Sequence, residues 1–293
     1  MQRDYWFVIA AGIICGTIIL SGSLFFAQGV SLFEMATLPF AFALLFLLPL
    51  IRGRRLNWIK SWRILLFYGI IQGASVLLEF SPLLFHVPVA VTVLLLYTQP
   101  FWTVLFTFLF LKERITRLHI ISSLLVVLGC VVLLAPWNSV SAFSIVGVTL
   151  GLLGGLALTG WIMVGSVLSK RSIDPVISNF AETAIMLLML VLLYPFLHLL
   201  LPEVSVTSFS LQWSWQVWLG FIGFALITQV AAHLLYLYGT RTVPTATAGV
   251  IMLLEPVSAA LLSLLFLGQI LTWNILVGGV VILFSNYLIL KKA

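Results

Sequence analysis

In "AGVIMLLEPVSAALLSLLFLG", Ala248 to Gly268, Glu255 and Pro256 stand near the middle of a run otherwise suited to hydrocarbon. A charged side chain at that depth costs at least about 2.5–3.5 kcal/mol. Proline removes a backbone N–H and crowds the carbonyl four residues back, here that of Met252. Gln99 and Pro100 repeat the arrangement, with the carbonyl of Leu96 opposite the proline. Freed backbone groups persist in a membrane only against protein or cavity water. A polar side chain beside an open carbonyl, offered twice, is the chemistry of a small-molecule binding site. The alternative is a packing kink with Glu255 capped by a nearby hydroxyl or amide.

Other polar residues fall on single helical faces. Gln72, Ser75, Glu79 and His86 form one stripe, and Gln229, His233, Tyr236 and Thr240 another. Thr92, Gln99 and Thr103 lie on a third helix, Met252, Glu255 and Ser258 on a fourth. The expected substrate-binding set is Glu79, Gln99, Glu255, Gln229, His233, Tyr97, Trp102, Trp161 and Tyr236, with Pro100 and Pro256 as the helix breaks. Glu79 and Glu255 are also the groups expected to exchange a proton for substrate. His233 has two readings, an interhelical hydrogen-bond donor or a proton and substrate site. Glu34 and Glu182 lie nearer span ends and are read as reaching an interface. No His/Cys/Asp cluster has metal-ligand spacing, so neither metal nor cofactor is expected, and Cys15 and Cys130 read as inert packed thiols.

The elements that must position these residues are membrane helices. Of 293 residues, 62% are hydrophobic and 8% charged, and the mean hydropathy is +1.24. Ten apolar runs can be marked, near 6–27, 32–51, 62–85, 88–111, 118–135, 145–168, 176–200, 215–238, 245–267 and 273–290. Each approaches the length of about 20 residues that crosses a bilayer. With ten crossings and both termini cytoplasmic, all 14 Lys and Arg fall on the cytoplasmic side, as the positive-inside rule requires. The net charge of +6 then matches an anionic inner leaflet rather than nucleic acid. Trp6, Trp58, Trp62, Trp137, Trp213, Trp215 and Trp273 read as interfacial anchors.

The chain also repeats itself. A shift of 156 residues lays Pro88 on Pro244, Pro100 on Pro256 and Gln99 on Glu255. A shift of 139 lays Gly12 and Gly16 on Gly151 and Gly155. Two five-span halves, 1–138 and 139–293, would enter the membrane in opposite senses, and such inverted repeats with matched helix breaks mark transporters. The expected fold is an all-α integral membrane bundle of ten helices.

The segments "LFLKERITRLHIISSLLVVLGCVVLL" and "SLFEMATLPFAFALLFLLPL" resemble the EamA-type branch of the drug/metabolite transporter superfamily, over the whole chain. The resemblance implies a five-plus-five inverted bundle that carries small metabolites, often outward. It also implies that the third, fourth, eighth and ninth spans line a central cavity. The chain departs from the pattern at Gln269, where the family often has Glu, and lacks a Trp-Gly pair in its first span.

No nucleotide-binding loop is present, so a gradient or exchange would drive transport. Buried acids without a deep Lys or Arg favour a cationic or zwitterionic substrate, such as an amino acid, an amine or S-adenosylmethionine. The expected protein is a non-enzymatic secondary transporter of the inner membrane. Its partners are a small-molecule substrate and the bilayer, not nucleic acid, and it works as a monomer or homodimer. The alternative is a translocase for lipid-linked cargo.

Overall fold

The computed structural model describes residues 2–54, 61–85, 87, 89–135, 144–200, 204–267 and 272–291. Expectations at His86, Pro88, Trp58, Trp137 and Gln269 lie outside them. The described residues are mostly helical, and none is in a strand. We number the long helices α1 (Gln2–Ala27), α2 (Leu32–Leu50), α3 (Trp62–Leu84), α5 (Arg117–Leu134), α6 (Ile145–Lys170), α7 (Pro175–Leu200), α8 (Trp215–Gly239) and α10 (Trp273–Lys291). Two are broken. Helix α4 runs as Val89–Leu96, restarts at Gln99–Phe106 and ends in the wide turn Thr107–Leu111. Helix α9 runs as Thr245–Ile251, tightens over Met252–Leu254 and resumes as Glu255–Leu267. Among the described residues, eight helices are long and apolar enough to cross a membrane, and α5 and α10 are shorter apolar ones.

The breaks sit at the two prolines. At Pro256 the chain tightens to a 3₁₀ turn, so Glu255 N–H bonds the carbonyl of Met252. The expected open carbonyl at Met252 is therefore already engaged. Tighter i→i+3 bonding is one of the ordinary ways a helix end satisfies orphaned groups. At Pro100 the helix instead interrupts over Tyr97–Thr98, where Thr98 N–H bonds Leu95 O at 3.3 Å.

Glycines let neighbouring helices approach these breaks. Helix α1 packs on α8 and α9, and α6 packs on α3 and α4. A Cβ on Gly12 would lie 3.0 Å from Ile251 O, and one on Gly155 would lie 2.9 Å from Leu95 O. Helices α5 and α10 pair through Gly129 and Gly278. Small-residue steps of this kind allow backbones to close in without a hydrophobic driving force.

Two carboxylates expected at interfaces are buried instead. Glu34 closes a capping box with Ser31 at the start of α2, and its Oε1 accepts from Ser210 N at 2.6 Å and Trp213 Nε1 at 3.1 Å. It thus ties the α7–α8 connection to α2, and Trp213 serves as its donor. Glu182, at 1% exposure, faces the bundle centre.

Candidate functional site

A cavity lies where α1, α2, α3, α4, α6, α8 and α9 meet. The room it leaves for the centres of water molecules is about 100 Å³. At about 10–15 Å³ of such space per water, this is the volume of several waters or of one solute of amino-acid size. Gln72, Ser75 and Glu79 reach it from α3, Tyr97 from the break in α4, and Trp161 from α6. Gln229 and His233 reach it from α8, and Glu255 from the break in α9. Cys15, a free thiol, also stands on its wall.

Local backbone geometry aims several of these groups. Over Ala225–Ala232 helix α8 widens into a π-helix, a deviation frequent at functional sites. The carbonyl of Gln229 within it accepts from Asn179 Nδ2 of α7 at 2.9 Å, which stabilises the widened turn. Gln229 Oε1 and the Tyr97 hydroxyl have no hydrogen-bond partner among the described residues. Buried polar groups are rarely left so, and an orphan on a cavity wall is a place for a ligand or water.

Among the described residues, the lining contains two acids, Glu79 and Glu255, and no Lys or Arg. Neither carboxylate receives a side-chain hydrogen bond or ion pair from another described residue. The Ser258 hydroxyl, which would have capped Glu255, bonds the Glu255 backbone carbonyl instead, at 2.9 Å. Burying charge without a partner is costly, so this arrangement suits a cation arriving from outside the protein.

Three expected site residues are turned elsewhere. Gln99 Nε2 donates to Thr103 Oγ1 at 2.5 Å and packs against Gly249 of α9. Trp102 donates to Thr98 Oγ1 at 3.3 Å and packs edge-on to Phe101. Tyr236 donates to Ile162 O at 2.6 Å and stacks on Trp161 with ring centroids 4.8 Å apart. Each is satisfied by its own or a neighbouring helix, so none lines the cavity. The match of Gln99 to Glu255 thus holds in sequence but not in orientation. Gln99 braces α4 on α9, while Glu255 faces open space.

Sequence reasoning missed the group behind the wall. Trp161 Nε1 donates to Glu182 Oε1 at 2.6 Å, and His233 Nδ1 lies 3.8 Å from the same oxygen. Tyr68 stacks over Trp161 at 6.2 Å, with its hydroxyl beside that carboxylate. The available signal was the pair Asn179 and Glu182, three residues apart on one face of an otherwise apolar helix. The carboxylate orients two rings of the cavity wall. Replacing Glu182 by Ala would leave Trp161 N–H buried and unpaired, a loss of about 1–3 kcal/mol. Glu182→Gln keeps an acceptor there. Thermal unfolding in detergent is expected to show the Ala variant clearly destabilised and the Gln variant close to the parent.

Beyond the stacked Tyr68, Trp161 and Tyr236, the bundle is closed at the end that carries Lys170. Lys170 pairs with Glu113, and Thr245 N–H donates to Glu113 Oε2 at 3.1 Å. Glu113 thereby caps the positive N-terminal end of α9. Ser166 and Thr245 hydroxyls meet at 2.8 Å, and Arg54 pairs with Asp174 at 2.5 Å. The hydrogen bond to Asp174 and that carboxylate's charge hold the Arg54 guanidinium pKa above its usual value, against the lowering effect of burial. At the opposite end the lining extends to Met35, one turn into α2.

Comparison with known proteins places this architecture. The sequence profile of the EamA-like transporter family matches residues 3–135 and again 145–291. The threonine/homoserine exporter RhtA of Escherichia coli K12 is 27% identical over 90% of this chain and 83% of its own length. An uncharacterized transporter of Archaeoglobus fulgidus is 26% identical over 98% of this chain and 99% of its own length. A solved crystal structure with 22% identity shares the fold, with a TM-score of 0.76 over 99% of this chain and 98% of that one.

Proposed function

Because this chain belongs to the EamA-like transporter family, we propose that it carries a small amine-bearing metabolite across the cytoplasmic membrane by alternating access. The preferred substrate is a zwitterionic amino acid. The observation that carries this reading is the cavity with two unpartnered carboxylates and no Lys or Arg among its described lining residues. An ammonium group would pair with Glu79 and Glu255. The orphaned Gln229 and Tyr97 polar atoms are placed for the rest of the molecule. The relative whose name specifies threonine and homoserine points to the same chemical class.

The architecture is ten crossings in two inverted halves, 1–138 and 139–293, with both termini cytoplasmic. The reciprocal packing supports it, since α1 meets α8 and α9 as α6 meets α3 and α4. Exchange of the two halves' conformations would open the Lys170 end and close the other. In that cycle Glu79 and Glu255 bind either a proton or the substrate amine.

The test is counterflow in proteoliposomes loaded with unlabelled solute. Labelled L-threonine, L-homoserine, putrescine and S-adenosylmethionine are offered in turn. Accumulation of at least one amine-bearing solute is expected, with none for a sugar phosphate. Failure of all four, with movement of a polyprenyl-linked lipid between leaflets, would transfer the assignment to lipid-linked cargo.

A further inference from the structure

On the outer face of the bundle, α4 and α5 leave an apolar groove of about 440 Å³, roomier than the central cavity by the same measure. Phe101 and Phe108 form one wall, Ile120 and Leu124 the other, and Ile115 from the connecting segment closes one end. All four wall side chains are exposed at their outer edges, so the groove opens to the surroundings. Its one polar lining residue, Ser123, has a hydroxyl without a hydrogen-bond partner among the described residues.

The segment that closes the groove carries an unbalanced charge. From Lys112, held in a left-handed conformation at φ 53°, the chain runs without helix to Thr116. Glu113 turns inward to Lys170 and the start of α9, and Ile115 turns into the groove. Lys112, Arg114 and Arg117 are exposed, and none has an ion-pair partner among the described residues. The segment's one acid is therefore already neutralised by Lys170, and three cations remain. Arg117 stands in the first turn of α5, where the helix dipole disfavours a positive charge. An anion at this point would relieve both the self-repulsion and the dipole conflict. Basic pockets between transmembrane helices at the cytoplasmic boundary are suited to anionic lipid headgroups.

We propose that this groove is a binding site for one anionic phospholipid, its acyl chain lying between α4 and α5 and its phosphate held by Arg114 and Arg117 with Lys112. The site is separate from the central cavity and does not depend on which solute is carried. It has a mechanical consequence, because Glu113 lies between Lys112 and Arg114 on the same short segment. A lipid that pins this segment also steadies the Glu113–Lys170–Thr245 contacts that close the bundle at that end.

The probe is phosphatidylglycerol, with phosphatidylcholine of the same chains as control, added at equal mole fraction to delipidated protein in detergent. Phosphatidylglycerol is expected to raise the unfolding temperature by several degrees more than phosphatidylcholine, and the excess to shrink in high salt. The double variant Arg114→Gln/Arg117→Gln should unfold like the parent without lipid yet lose that excess. Ile120→Trp, at an exposed rim position, fills the groove and should lose it with the headgroup cations intact. Native mass spectra should show one retained phosphatidylglycerol on the parent and none on either variant. Equal stabilisation by the two lipids, an undiminished excess in the variants, or the same rise with soluble glycerol phosphate would overturn the proposal. So would a dimer that buries this face in place of lipid.

Discussion

Glu255→Gln is expected to weaken substrate binding by about tenfold to a hundredfold, with little change in folding. A hydrogen bond to a charged group contributes about 1.5–3 kcal/mol, which corresponds to that range. The side chain has no described protein partner whose loss would unfold the helix, and Gln preserves its volume. The backbone features at the break, the Met252 bond and the Ser258 bond, use only main-chain atoms of Glu255 and survive the change. Binding measured by thermal shift or counterflow should fall more than stability does. Glu79→Gln should behave in the same direction, and the double variant should bind no amine detectably. Counterflow of the double variant equal to that of the parent, at every pH tried, would remove these carboxylates from the mechanism.

Gly16→Ala should be among the most damaging single-methyl additions in the chain. The new Cβ would lie 2.7 Å from Ala259 N and 2.9 Å from Glu255 O, both backbone atoms that no rotamer change can move. Helix α1 would have to retreat from α9 where the latter breaks, at an overpacking cost of about 1–3 kcal/mol. The displacement would also shift Glu255 in the cavity, so transport should fall together with stability. Gly279→Ala is the control. Nothing lies within 4 Å of its added Cβ. Replacing glycine by alanine inside a helix gains about 0.5–1 kcal/mol of propensity, so that variant should be neutral or slightly more stable. Thermal unfolding and counterflow on the two variants separate a packing requirement from a general dislike of alanine. A Gly16→Ala protein as stable and active as Gly279→Ala would refute the close contact.

The four helices expected to line the cavity do so, but the faces they present were only partly legible. Helix α3 presents Gln72, Ser75 and Glu79 as an unbroken α-helical stripe predicts. Helix α8 carries its stripe to the cavity through Gln229 and His233, and then continues it against α6, where Thr240 and Ser169 hydroxyls meet at 3.2 Å. A π-turn changes the angular phase of every later residue in its helix, and no residue type announces one. Helix α4 presents Val93, Leu96 and Tyr97; Thr92 turns back toward Val87 O at 3.5 Å, and Gln99 and Thr103 lie beyond the interruption at Tyr97–Thr98, which rotates the restarted helix. Glu182 departs from its expected place for a related reason. Its distance from a span end says how deep it lies, but only the rotation of α7 decides whether it meets lipid, water or Trp161.

By itself the sequence determined that this chain is a bundle of apolar helices, that two of them break at Pro100 and Pro256, and that deep acids go unmatched by deep bases. Those properties are local. They arise from the transfer cost of side chains and from the missing N–H of proline, and they need no knowledge of neighbours. The tertiary structure decided which polar groups satisfy one another and which are left facing space. Gln99 found Thr103, Glu34 found the α7–α8 connection and Glu182 found Trp161, whereas Glu79 and Glu255 found no partner among the described residues. The difference arises because a hydrogen bond depends on ångström-scale distance and on direction. Both are fixed by how helices rotate and cross, and hydropathy and spacing do not encode either.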